Sequence, residues 1–202
     1  MKFISAIIGL FAFSALAADV PGGINRTAEG LPEQTYELML SPSYTMQPAG
    51  AYLSSEVRFQ PNQDFGAGLG FGAGEVGYHF GVNGAWYLLP DLGNQPAVSI
   101  LGAVYLNRVQ PFNYFVARVT PMVSKMIQTT WGTGTPYAGV HLTPSFRLSD
   151  TAANDFAVRA AVGSQFTIKA LEGVNLFAEF NLSVLNSMHE VSLGLSYPFA
   201  AL

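Results

Sequence analysis

The chain has 202 residues, of which 50% are hydrophobic and only 11% charged, against about 25% charged in an ordinary soluble domain. A formal charge of −4 gives no basic footprint, which counts against nucleic acid as a partner. Cysteine is absent, so disulfides, thiolate metal sites and a lipidated N-terminal cysteine are excluded, and no cofactor or metal is implied.

Residues 1–17 read as a cleaved secretory signal. Lys2 is the positive start, Phe3 to Leu16 the apolar stretch, and Ala15-Leu16-Ala17 supplies the small residues of a cleavage site. Residues 18–33, with Pro21, Gly22, Gly23, Gly30 and Pro32, show no periodicity and are expected to form a flexible periplasmic segment. From residue 34 to 202 the apolar residues alternate, and no later stretch reaches the roughly 18–20 unbroken apolar residues of a membrane helix. Successive side chains of a strand point to opposite faces, so each alternating run has one apolar and one small or polar face.

The parity predicts about ten strands of a transmembrane antiparallel up-and-down β-barrel, or eight if one weak pair only extends a rim. The first, Thr35–Met46, places Tyr36, Leu38, Leu40 and Tyr44 outward and Glu37, Ser41 and Thr45 inward. Ala51–Gln60 sets Leu53, Val57 and Phe59 against Glu56 and Arg58. In the third run Phe65, Ala67, Leu69, Phe71 and Ala73 alternate with glycines from Gly66 to Gly74, and past a turn at Gly74–Gly77 the parity flips. The fourth strand, Gly77–Leu88, then sends Tyr78, Phe80, Val82 and Trp86 outward and His79 and Asn83 inward. Ala97–Asn107 and Asn113–Ile127 follow, the second with Arg118 inward and Lys125 outward near a strand end. Gln128–Thr135 reads as a loop carrying Trp131.

Beyond that loop, Tyr137–Leu148 turns His141 and Arg147 inward, and Phe156–Lys169 does the same with Arg159, Gln165 and Lys169. Val174–Leu185 sets Leu176, Phe180 and Leu182 against Asn175, Glu179 and Asn181. His189–Phe199 closes the set, with Val191, Leu193, Leu195, Tyr197 and Phe199 outward and Glu190, Ser192 and Gly194 inward. The outward register is almost free of charge. Its aromatics (Tyr36, Phe59, Phe65, Trp86, Phe166, Tyr197, Phe199) gather on one rim, as an interfacial girdle requires.

The segment Ser192-Leu193-Gly194-Leu195-Ser196-Tyr197-Pro198-Phe199 resembles the assembly signal on the last strand of bacterial outer-membrane proteins, in which a polar residue, a glycine and two aromatic or apolar residues recur at this spacing. It departs from that pattern in being followed by Ala200-Ala201-Leu202. The chain after about residue 34 is similar to the small, porin-like barrels of the Gram-negative outer membrane. That resemblance implies insertion in outer-membrane lipid and lipopolysaccharide. It also implies recognition by the barrel assembly machinery through Ser192, Gly194, Tyr197 and Phe199, and both chain ends in the periplasm.

The inward residues Glu37, Glu56, Arg58, His79, Asn83, Arg118, His141, Arg147, Arg159, Lys169 and Glu179 are the candidates for lining the lumen. Acidic and basic groups are nearly balanced among them, so they fit either a salt-bridged, largely plugged interior or a narrow charged pore for small solutes. A membrane-embedded lipid-modifying hydrolase is a third alternative, resting on Ser187, His189 and Glu190 near one turn. Three nearly adjacent residues cannot converge from one strand, so no catalytic residue is assigned and a non-enzymatic envelope component is expected. Whether barrels associate is left open.

Overall fold

A computed structural model of the chain describes residues 19–109, 112–148 and 154–200; the expected signal at 1–17 lies outside the described residues. No helix occurs among them. The elements are β1 (Thr35–Met46), β2 (Ala49–Gln60), β3 (Phe65–Gly74), β4 (Gly77–Leu89), β5 (Ala97–Val109), β6 (Phe112–Ser124), β7 (Ile127–Gln128), β8 (Gly132–Arg147), β9 (Asn154–Ile168), β10 (Asn175–Leu185) and β11 (Glu190–Ala200). Consecutive strands pair antiparallel from β1 to β6, β6 pairs with β8, and β8 to β11 follow in order. The ring closes where β11 returns to β1, with Tyr36 opposite Phe199, Leu38 opposite Tyr197 and Leu40 opposite Leu195. Closure removes both sheet edges, so the barrel wall leaves no unpaired strand exposed.

Ten long strands make the wall. The stretch expected to be a loop at 128–135 is instead a ribbon, because β8 begins at Gly132 and pairs Thr133 and Gly134 with the two-residue β7. Lys125, read as an outward lysine within a strand, lies just past the end of β6. Its ammonium bonds the Asp91 carboxylate in the β4–β5 loop. That ammonium and the Met126 N–H, at 2.6 Å, hold the Asp91 carboxyl below the usual carboxylate range.

The outer face is apolar and bare. Leu69, Phe80 and Leu193 are 56%, 54% and 60% exposed, and hiding each such side chain from water contributes roughly 1.5–3 kcal/mol. A barrel carrying a full belt of them is stable where hydrocarbon surrounds it. Aromatic pairs mark the rim that carries Thr35 and Ala200. Tyr36 stacks on Phe59 at 4.6 Å and on Phe199 at 5.7 Å, and Phe65 stacks on Trp86 at 6.1 Å.

The glycine face of β3 looks inward and is filled by its neighbours. A Cβ at Gly66 would stand 2.9 Å from Gln60 and 3.3 Å from Tyr87, and one at Gly72 would stand 2.6 Å from Tyr52 and 2.7 Å from His79. The Tyr52 hydroxyl and His79 Nδ1 are hydrogen-bonded at 2.7 Å beside Gly72. At Gly70 the nearest atom, on Tyr105, is 3.9 Å away. Gly72→Ala is therefore expected to cost about 1–3 kcal/mol by overpacking, while Gly70→Ala is close to neutral. The midpoint of the heat-modifiable gel band in urea separates the two, and equal midpoints would refute the packing argument.

Candidate functional site in the lumen

Much of the segment before β1 lies in the lumen. The structure carries Asp19 to Ala28 inside the barrel, where Asp19 and Asn25 are 0% exposed and Val20, Ile24 and Ala28 no more than 4%. A segment rich in glycine and proline has no ladder of its own, yet its main-chain groups still need partners once buried. Polar side chains of the wall supply them.

Near the Thr35/Ala200 rim, Ala28 N–H donates to Ser124 Oγ at 3.0 Å. Arg26 then forms an ion pair with Glu56 and donates to Asn83 Oδ1 at 3.1 Å. Arg58 stands between Glu37, its close partner, and Glu56 at 3.6 Å. Deeper in, Glu179 accepts the N–H groups of Ile24 and Asn25, one on each oxygen and both at 2.9 Å. The same carboxylate accepts the Tyr137 hydroxyl at 2.8 Å and Asn181 Nδ2 at 2.7 Å. The Asn25 side chain donates to Ser41 at 2.8 Å and accepts from Ser192 at 3.3 Å.

Gly22 meets an ion pair of the wall. Its N–H donates to Glu190 at 3.0 and 3.1 Å, its carbonyl accepts from Arg159 Nη2 at 3.0 Å, and Arg159 Nη1 lies 3.0 Å from Glu190. Two glycines allow this fit. Gly22 has φ +112°, and a Cβ on Gly23 would lie 2.4 Å from a Glu179 oxygen. Innermost, the Asp19 carboxylate sits between two guanidinium groups, 2.9 Å from Arg118 Nη2 and 3.4 Å from Arg159 Nη1. Arg118 also donates to Val20 O at 2.6 Å, and Asn107 Nδ2 donates to Asp19 O at 3.3 Å.

Apolar contacts flank this column. Val20 packs with Val109, Tyr114 and Val116, and Ile24 with Ala97, Met122, Tyr137 and Phe177. Burying so many ions is costly unless each is paired and hydrogen-bonded, and the segment completes several of the pairs.

Of the candidates read from sequence, Glu37, Glu56, Arg58, Asn83, Arg118, Arg159 and Glu179 meet on this column. His79 and His141 line the interior with partners of their own, Tyr52 and, at 2.8 Å, Thr120. Arg147 stands apart at the opposite end of β8, its guanidinium 3.1 Å from the centre of the Phe112 ring. Lys169, counted inward by parity, falls past the end of β9 and is exposed, with its ammonium 3.1 Å from Thr130 O. Alternation ends where the ladder ends, so parity had no meaning there.

Ser192 and Gly194 of the last strand face inward, while Tyr197 and Phe199 face outward at the girdled rim. The residues that sequence reasoning missed are Asp19, Asn25 and Arg26. Their signal was the pair of opposite charges, Asp19 and Arg26, in the glycine-containing stretch from Asp19 to Ala28. Ser187, His189 and Glu190 each have partners elsewhere among the described residues. Glu190 is turned into the lumen onto Arg159, Ser187 Oγ donates to Val158 O at 2.9 Å, and His189 Nδ1 accepts Ser183 N–H at 3.2 Å.

No family model matches the chain, and no curated protein does. Among solved structures it is similar to the β domain of the Bordetella autotransporter BrkA, at 12% identity and TM-score 0.51, covering 82% of this chain and 98% of that one. It is also similar to the KdgM porin (10% identity, TM-score 0.44, 81% and 99% covered). An Acinetobacter baumannii outer membrane protein matches at 11% identity and TM-score 0.41, with 83% and 99% covered. The likeness is one of fold, a closed antiparallel β-barrel.

Proposed function

We propose that this chain is a non-enzymatic structural barrel of the bacterial outer membrane whose own N-terminal segment plugs its lumen. The observation that carries this reading is the column of bonds from Asp19 to Ala28, which occupies the axis where solute would pass. In this reading the leader is removed during export. Tyr197 and Phe199, together with inward Ser192 and Gly194, present the last strand to the assembly machinery, and the apolar belt faces lipid and lipopolysaccharide. Full-length protein in planar bilayers is then expected to show no discrete conductance steps, and regular steps from the intact chain would overturn the plugged reading.

A narrow passive pore is the second reading. It is favoured by a polar vestibule of about 180 Å³ at the Thr35/Ala200 rim, lined by Arg26, Glu37, Arg58, Tyr87, Gln165 and Asn175 among others. Gly66 lines that vestibule, so conductance steps that shrink with bulk at Gly66 would favour this alternative. The hydrolase alternative predicts altered lipid A or phospholipid after loss of the gene. Unchanged lipid profiles are expected.

A further inference from the structure

We propose that Arg118 and Arg159 form a carboxylate-recognition site in the lumen, that Asp19 occupies it as a built-in ligand, and that a free small carboxylate competes for it. The geometry is that of a receptor for an anion. Two guanidinium groups reach one carboxylate from two strands, at 2.9 Å from Arg118 on β6 and 3.4 Å from Arg159 on β9. Asp19 is fully buried, as is Arg159, so the interaction is little screened by water.

The two arginines differ in what they have without Asp19. Arg159 keeps Glu190 at 3.0 Å. Arg118 has Asp19 as its one carboxylate partner among the described residues, and its remaining bond is to Val20 O. Taking Asp19 away leaves a buried cation without a counter-charge, a condition that favours uptake of an anion from solution. Two small cavities, of about 40 and 30 Å³, lie beside the segment and are both lined by Arg118. Neither reaches Asp19 or Arg159, so the room for a small carboxylate at the paired guanidinium groups is the space that the Asp19 side chain itself fills. Planar guanidinium donors match the two oxygens of a carboxylate better than a spherical halide. Formate or acetate is therefore the chemical class.

The inference deepens the plugged reading, since the site would be exposed to solute only when the segment withdraws. Its first test does not depend on that reading. Asp19→Ala keeps the segment but removes the carboxylate, and its unfolding midpoint should fall by several degrees. Added sodium formate should restore it, compared with sodium chloride at equal ionic strength and with neutral formamide, because a ligand bound only by the folded state raises stability. Arg118→Gln in the Asp19→Ala background should abolish the rescue. Wild type, with its site filled, should not respond. Rescue by formamide as strong as by formate, or no rescue by formate, would overturn the proposal.

Where Asp19→Ala does not fold, barrels lacking residues 19–30 serve in planar bilayers under a potassium chloride gradient. Formate should lower the chloride current unless Arg118 and Arg159 are both glutamine. A current indifferent to formate overturns the site. Conductance by the intact chain overturns only the plugged reading.

Discussion

A chain lacking residues 19–30, with Ala18 joined directly to Leu31, is expected to open discrete ion channels in planar bilayers where the intact chain shows none. The wall of ten strands does not depend on the segment for closure, because every strand is paired to two others by its own ladder. Removing the segment takes Val20, Ile24 and Ala28 from the axis together with the Asp19 and Arg26 side chains. Ten strands enclose a bore only modestly wider than an eight-stranded barrel, whose interior side chains just fill. Here the inward face of β3 is glycine from Gly66 to Gly72, and although Gln60, Tyr87, Tyr52 and His79 lean over most of it, Gly70 stays open, with its nearest neighbour 3.9 Å away. The charges that remain are partly self-compensating. Arg58 keeps Glu37 and Glu56, and Arg159 keeps Glu190. Water and small ions are the expected replacement for the segment. The deletion variant should still give a heat-modifiable band, which separates an opened barrel from an unfolded one. A folded deletion variant that stays electrically silent would mean that wall side chains close the lumen without help.

The barrel was legible because its main determinant is a one-dimensional pattern. β1 occupies Thr35–Met46 in both the parity reading and the structure, and the same alternation placed Glu37, Arg58, Arg118, Arg159 and Glu179 inward. The errors fall where the pattern stops. Lys169 lies just past Ile168, the last paired residue of β9, and the start of β8 at Gly132 was hidden by a Gly-Thr-Gly-Thr run that has no apolar face to count. The lumenal segment was illegible for a different reason. Its fit depends on main-chain N–H groups of Gly22, Ile24 and Asn25 meeting carboxylates more than 150 positions away, and main-chain donors leave no mark in residue identity. Glu179 and Glu190 could be read as inward acids, but nothing in their own strands says that they hold backbone rather than arginine alone. Asp19 and Arg26 were the readable trace, as charges complementary to the wall.

Glu179→Ala is expected to be among the most damaging single substitutions in the chain, and to lose much of that effect once residues 19–30 are gone. The Glu179 carboxylate is 3% exposed and accepts four donors: Ile24 N–H, Asn25 N–H, the Tyr137 hydroxyl and Asn181 Nδ2. Each buried donor left without an acceptor costs about 1–3 kcal/mol. Relaxation spares some of them, so a loss on the order of 3–5 kcal/mol is expected in the intact chain. In the deletion background the two backbone donors are absent, and only Tyr137 and Asn181 remain to be disappointed. The difference between the two costs, a double-mutant cycle between one side chain and one segment, should come to about 2 kcal/mol. Urea midpoints of the four proteins in the same detergent provide it. Glu179→Gln should fall between, because the amide keeps one accepting oxygen and turns a second donor toward groups that already donate. Equal costs with and without the segment would show that Glu179 supports the wall alone, and the column of contacts around Gly22 to Asn25 would then not be what holds the segment in the lumen.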